Sequence, residues 1–227
     1  MLNQENLLKE GWLRLPDFKL SESERSELLS EILSNEVDKI YTESTKAHDH
    51  FINMKGINTL LAPRLFKIAN KMGYNVEPDD TYFITRVVNP DDPHEFFKAH
   101  FDSHLFTLVT PINIPNNKDG DKGNGELIVF PKIRNEPKSE LLNVLQKFFF
   151  KLFANEKGIN ILSKRKKNLK FDFKDNIPIL FLGRTTFHFN LPVINKTGQK
   201  RVTLLTHFYD PSPKFGVGSV LRKIRNR

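Results

Sequence analysis

The hydrophobic pattern changes character between residues 75 and 81. Residues 1–75 carry apolar positions at helical spacing and read as mainly helical. Within them, LLKEGWLRLPDF predicts a helix end, a turn at Gly11 and an extended piece closed by Pro16. Ser21 or Ser23 can cap the next helix, which has acidic residues in its first turn and continues through LLSEILS. A further helix is predicted over Asn58–Met72, stopping near Gly73. From Thr81 onward β-branched and aromatic residues dominate. TYFITRVV reads as a strand ending at the turn NPDDP, and FKAHFDSHLFTLVTPINIP as one or two strands. NNKDGDKGNG is a turn-rich loop and GELIVFP another strand. Residues 138–156 return to helical composition, with an apolar stripe expected to pack on the strands. IPILFLGRTTFHFNLPVI and KRVTLLTHFY read as two more strands, joined by a turn around NKTGQ. Helices first and strands afterwards predict an α+β domain built on a sandwich or barrel.

Composition then narrows the chemistry. The chain of 227 residues holds 20 Phe and is 38% hydrophobic, enough for a packed core. Without cysteine, disulfides and thiolate metal sites are excluded, so any metal must be held by His, Asp or Glu. The formal charge is +8, part of it in the basic segment Lys157–Lys174 and part in the C-terminal LRKIRNR. Such charge attracts nucleic acid, phosphate esters or acidic lipid. No nucleic-acid-binding motif accompanies it, so the two segments read as a solvated loop and a tail. MLNQENLLKEGW lacks the basic stretch and apolar run of a secretory leader. No apolar stretch approaches the roughly 20 residues of a membrane span. The expectation is a cytoplasmic protein of undetermined oligomeric state.

His100-Phe101-Asp102 is the first element that carries chemistry. In a strand, residues i and i+2 face the same side, so an imidazole and a carboxylate there can take adjacent sites on one metal. A third ligand can come from His188, inside the β-rich RTTFHFN. Two His and one carboxylate make a facial triad that leaves three positions open and suits iron(II), though also manganese or cobalt. Arg201 and Thr203 share a face of the last strand, where a guanidinium and a hydroxyl can grip a carboxylate. Lys200 is the alternative base, but strand parity pairs Arg201 with Thr203. His207 is the rival distal ligand, and His104 shares the face of His100 if the strand runs unbroken. His48 and His50 flank Asp49 without an inward-facing strand, and His94 lies in a turn.

The order HxD, β-rich stretch, His, Arg-x-Thr resembles the Fe(II)/2-oxoglutarate-dependent dioxygenase superfamily. The prolyl-4-hydroxylase-like members are closest, through HFDSHLFTLVTPIN, GNGELIVFP and FHFNLPVINKTGQKRVTLL over residues 81–209. LLKEGWLRLPDF is similar, more loosely, to the opening of phytanoyl-CoA-hydroxylase-like members. The resemblance implies a double-stranded β-helix (jelly-roll) core over 81–209. Helices of 1–75 pack on that core, a helical insert covers 138–174 and a basic tail covers 210–227, all in one domain, 1–227. It implies that His100, Asp102 and His188 ligate iron. Arg201, with Thr203, would bind the far carboxylate of 2-oxoglutarate. Thr107 and Tyr82 are further candidates for the co-substrate pocket, and Arg86 can reach it too. The implied reaction is hydroxylation of a protein residue or small metabolite, releasing succinate and CO2, with ascorbate as a reductant. An alkylated nucleic-acid demethylase and a non-catalytic ligand-binding β-barrel are the alternatives.

Overall fold

The computed structural model describes residues 2–35, 41–43, 46–90, 98–115, 125–137, 139–194 and 198–211. The end of the NPDDP turn, His94, most of the NNKDGDKGNG loop, residues 195–197 and the tail from 212 lie outside them.

The N-terminal third is helical, as the pattern predicts. Helix α1 (Gln4–Glu10) is capped by Asn3, and Gly11 ends it at φ 83, the left-handed region that glycine enters without penalty. Strand β1 (Trp12–Arg14) follows, then a single tight turn from Pro16 to Phe18. Helix α2 (Glu22–Asn35) starts with a reciprocal cap. The Glu24 amide donates to Ser21 Oγ at 3.3 Å, and the Ser21 amide donates to Glu24 Oε2 at 2.6 Å. A short strand β2 (Tyr41–Glu43) precedes α3 (Lys46–Lys55). The helix predicted over 58–72 begins as a wide turn at Ile57–Leu61 and becomes regular as α4 (Ala62–Lys71).

The strands after residue 80 are β3 (Thr81–Val88), β4 (Phe106–Asn113) and β5 (Leu127–Phe130). Helices α5 (Glu140–Lys151) and α6 (Glu156–Arg165) come next. Strands β6 (Leu169–Phe171), β7 (Ile179–Leu182), β8 (Phe187–Asn190) and β9 (Arg201–Phe208) complete the order. The strands form a six-stranded sheet, β1-β7-β4-β9-β3-β2, and a three-stranded sheet, β6-β5-β8, with antiparallel pairing throughout. This is the expected α+β jelly-roll.

Strand parity sorts the layers. Leu108, Leu180, Leu204 and Phe208 of the larger sheet face the helices, where Leu7, Phe51 and Leu65 meet them. Val109, Ile179 and Phe181 face the other way, onto Leu127 and Val129 of the smaller sheet. The smaller sheet turns Ile128, Phe130, Phe187 and Phe189 outward onto Ile159 of α6 and Phe150 of α5. Each fully buried Phe contributes roughly 1.5–3 kcal/mol by leaving water, so Phe51, Phe106, Phe130, Phe181, Phe187 and Phe208 do much to hold the sandwich shut.

Three expectations need correction. IPILFLGRTTFHFN is two strands, not one: the chain turns at Gly183, where the Thr186 amide bonds the Leu182 carbonyl at 3.0 Å. β7 and β8 thereby enter different sheets. The basic segment Lys157–Lys174 is not a loop, because Asn155 caps α6 and β6 pairs with β5. The apolar stripe of residues 138–156 packs on the strands only in part: Phe150 meets Phe187 of β8, whereas Leu141, Leu145 and Phe148 point to solvent. The rest of the inward side of α5 meets polar partners.

His48 of α3 is sealed beneath β3, with its Nδ1 3.3 Å from Thr85 Oγ1 and its ring beside Phe83. Burial pushes its pKa down to about 4. An unfolded histidine titrates near 6.5, so between about pH 6.5 and 4 the unfolded chain binds a proton that folded His48 refuses. Its stabilising effect is complete above about pH 6.5 and declines as pH falls toward 4. Urea unfolding at about pH 7.5 and pH 4.5 measures that decline, and His48→Gln should reduce it by roughly 2.5 kcal/mol. An equal decline in both proteins would contradict the assignment.

Candidate active site

A cavity of about 930 Å³ opens between the sheets. The parity that sends Val87, Leu108 and Leu204 to the helices turns their neighbours into it. Tyr82, Ile84 and Arg86 line it from β3, Thr107 from β4, and Arg201, Thr203, Leu205 and His207 from β9.

The HxD segment reaches this cavity without a regular strand. His100 makes an isolated two-bond bridge to His188: its amide donates to the His188 carbonyl at 3.0 Å, and the His188 amide returns a bond at 3.1 Å. Two residues on, the Asp102 amide donates to the Gly183 carbonyl at 3.1 Å. The segment is thus stitched to the smaller sheet at one residue and to the end of β7 at the other. Gly183 permits this approach, since a Cβ there would sit 2.6 Å from the His104 carbonyl oxygen.

His100, Asp102 and His188 each offer one ligand atom, all within 4.8 Å of one another. The His100 Nδ1–H donates to the Lys98 carbonyl at 2.8 Å, and the His188 Nδ1–H to the Thr186 carbonyl at 3.2 Å. Both Nε2 atoms are therefore left with the lone pair that could ligate a metal. They lie 3.5 Å and 3.8 Å from the Asp102 carboxylate. Burial opposes the charge on Asp102. His188, His207 and His100 outweigh it and hold the carboxyl well below the usual carboxylate range. Burial likewise pushes His188 down to about 4, against the pull of Asp102, so its imidazole is neutral and able to ligate near pH 7.

Thr107 donates to Asp102 Oδ2 at 2.5 Å and lies 3.0 Å from His207 Nδ1. Its hydroxyl engages the carboxylate of the triad rather than the Arg201 end. Tyr82 lines the cavity too, donates to Glu43 and stacks on His104 with ring centres 5.8 Å apart. His104 in turn stacks on His207 at 5.1 Å. His104 and His207 thus stand beside the triad, and His207 Nδ1 lies 3.8 Å from Asp102 Oδ2.

At β9 the guanidinium of Arg201 is sealed from solvent, and among the described residues its Nε and Nη1 have no hydrogen-bond partner. Burial, then the neighbouring Arg86, lower its pKa to about 9, so it remains cationic at neutral pH. Thr203 Oγ1, from the same face, is likewise buried and unbonded. An unpaired buried charge costs several kcal/mol, so this pair is shaped for an anion that enters the cavity. Gly125, at φ +71, makes the room: a Cβ there would stand 2.5 Å from Arg201 Cδ. Lys200 is absent from the cavity lining, and its carbonyl accepts from Asn113 Nδ2 at 2.7 Å. The sequence did not reveal Tyr41 and Glu43 of β2, which also line the cavity. Three residues carry no periodicity that could have announced them. His48 lies in the core and His50 stands 3.8 Å from Glu27 and 3.6 Å from Glu31, so neither joins the triad.

No family model matches the sequence, and no curated protein matches it. Solved structures do. A prolyl-4-hydroxylase from Pseudomonas putida superposes with a TM-score of 0.55 at 14% identity, covering 91% of this chain and 96% of that one. A prolyl 4-hydroxylase from Phytophthora capsici gives 0.56 at 14% identity, over 98% of this chain and 69% of that one. SnoK, a non-heme alpha ketoglutarate dependent carbocyclase of nogalamycin biosynthesis, gives 0.55 at 12% identity, over 96% and 89%. The chain is thus similar in fold to prolyl-4-hydroxylases and other 2-oxoglutarate-dependent oxygenases, and carries a His-Asp-His cluster in the cavity of that jelly-roll.

Proposed function

We propose that this protein is an iron(II)- and 2-oxoglutarate-dependent oxygenase that hydroxylates a protein residue or a small metabolite. The observation that carries the reading is the buried guanidinium of Arg201, which has no hydrogen bond at Nε and Nη1 among the described residues, in the cavity that also holds the His-Asp-His cluster. A ligand with a metal-binding end and a carboxylate at the other suits both. His100, Asp102 and His188 are the proposed iron ligands, and the cluster of two imidazoles and one carboxylate fits iron(II) by donor type. When bound, iron with 2-oxoglutarate supplies oxidation of a C–H bond coupled to release of succinate and CO2.

The chain's own residues do the rest. The Lys98 and Thr186 carbonyls fix the tautomer and tilt of the two imidazoles. Thr107 occupies one oxygen of Asp102 and so leaves the other for the metal. Arg201 and Thr203 grip the far carboxylate of the co-substrate, and Arg86 adds positive potential beside them. Tyr41, Glu43, Lys98 and Asn190 line the same cavity and are the groups offered to a polar substrate. The apolar layer of Val109, Leu127 and Phe181 excludes water from the inner end.

The purified chain, given iron(II), 2-oxoglutarate, oxygen and ascorbate, should form succinate, and Asp102→Ala should form none above background. Chromatographic assay of succinate checks this. Equal formation by both proteins would remove the triad from the mechanism. Arg201→Ala should weaken 2-oxoglutarate binding at least about 30-fold, as expected for loss of a charge-assisted pair, while Lys200→Ala leaves it within about 3-fold. Titration calorimetry with manganese in place of iron measures both. The opposite ranking would move the carboxylate site to Lys200.

A further inference from the structure

Helix α5 is built inside out. Asn143, its buried residue, accepts from Arg134 Nη2 at 2.8 Å, and Gln146 accepts from Arg134 Nη1 at 3.1 Å. Glu140 accepts from Arg184 Nη2 at 3.0 Å, and Lys147 donates to Ser103 Oγ at 3.3 Å. The inward side is therefore largely polar, with Phe150 against Phe101 as its apolar anchor. The outward side carries Leu141, Val144, Leu145, Phe148, Phe149 and Leu152, all exposed, with Leu141 at 72% and Phe148 at 69%. Their spacing places them on one face of the helix. An apolar row this continuous marks a surface that is covered in use.

The charge around it identifies the cover. From residue 139 to 174, nine lysines and arginines stand against three acidic residues. Glu140 is engaged by Arg184, and Asp172 lies 3.8 Å from Lys174. Lys151, Lys157, Lys164 and Arg165 are exposed. α6 packs through Ile159 and Leu162 into the core cluster that holds Phe150 of α5, so the basic helix and the helix with the apolar row share one packing unit. A second copy of the chain would bring the same positive excess against this face. Nucleic acid would leave the leucine and phenyl row in water. An anionic bilayer offers acyl chains to the row and phosphate or carboxylate headgroups to the cations.

We propose that the outward face of α5, flanked by the basic α6, docks on an anionic membrane surface. With 12 residues, α5 is about 18 Å long, too short to cross a bilayer, and it lies in the interfacial plane. Among the described residues no helix is long and apolar enough to span a membrane. Through Phe150–Phe101 and Lys147–Ser103 the docked helix touches the segment that carries Asp102, so the cavity wall sits one helix away from the headgroups.

Flotation of the full chain with vesicles tests this. The chain should float with phosphatidylcholine vesicles containing about one third phosphatidylserine and not with phosphatidylcholine alone. About 1 M salt should release it by screening. Phe148→Ser/Phe149→Ser, and separately Lys164→Glu/Arg165→Glu, should lower the bound fraction at least about 10-fold. These side chains are exposed, so thermal melts should match the wild type. Failure to float with anionic vesicles, or unchanged binding in either variant, would overturn the proposal. Dimerisation of the wild type, abolished in the Phe variant and without vesicle binding, would assign the face to a second copy instead. No metal or co-substrate is needed, so the result is independent of the oxygenase reading.

Discussion

Two backbone hydrogen bonds between His100 and His188 bring together segments far apart in the chain. Each histidine then has its ring aimed by a carbonyl two residues before it, Lys98 for one and Thr186 for the other. Asp102 follows because its own amide is tied to Gly183 at the end of β7. The cluster is thus positioned by main-chain bonds from both sheets, the most rigid support that a sandwich offers. The turn at Gly183 serves both requirements. It divides β7 from β8, so that His188 enters the smaller sheet, and it clears space for the His104 carbonyl.

The opposite end of the cavity follows a different physics. Arg201 is among the largest fully buried side chains of the described residues, held among the strands beside a second guanidinium. Such an arrangement costs stability, and the well-packed layer of phenylalanines and aliphatics on both sides of the sheet offsets it. A site that binds a dicarboxylate gains from this. The guanidinium is already desolvated and fixed, so little ordering would remain to be done on binding the carboxylate proposed for it.

Much of this was legible in the sequence. The α+β order, the strand at 81–88 and the shared face of Arg201 and Thr203 all follow from period-two alternation in residues whose neighbours are β-branched or aromatic. His100, Asp102 and His188 were named for the same reason, although the HxD segment meets the sheet through one bridge rather than a full strand. What escaped was set by long-range partners. β2 forms because residues 41–43 pair with β3, which three residues cannot announce. The stripe on α5 identified a helix but not its orientation. Arg134 and Arg184 claim the polar side, and nothing local to residues 139–152 encodes them. Thr107, a candidate for the co-substrate pocket, lines the cavity, and the partner of its hydroxyl there, Asp102, is set by the fold and by no local pattern.

The central claim is that one cavity holds a metal at the His-Asp-His cluster and a carboxylate at Arg201. Diffraction from crystals grown without oxygen in manganese and 2-oxoglutarate, with anomalous data at a manganese-sensitive wavelength, tests it directly. The account predicts a single strong peak contacted by His100 Nε2, Asp102 and His188 Nε2, with the far carboxylate of the co-substrate on Arg201 and Thr203. A metal held by His104 and His207, or a co-substrate whose carboxylate avoids Arg201, would contradict it.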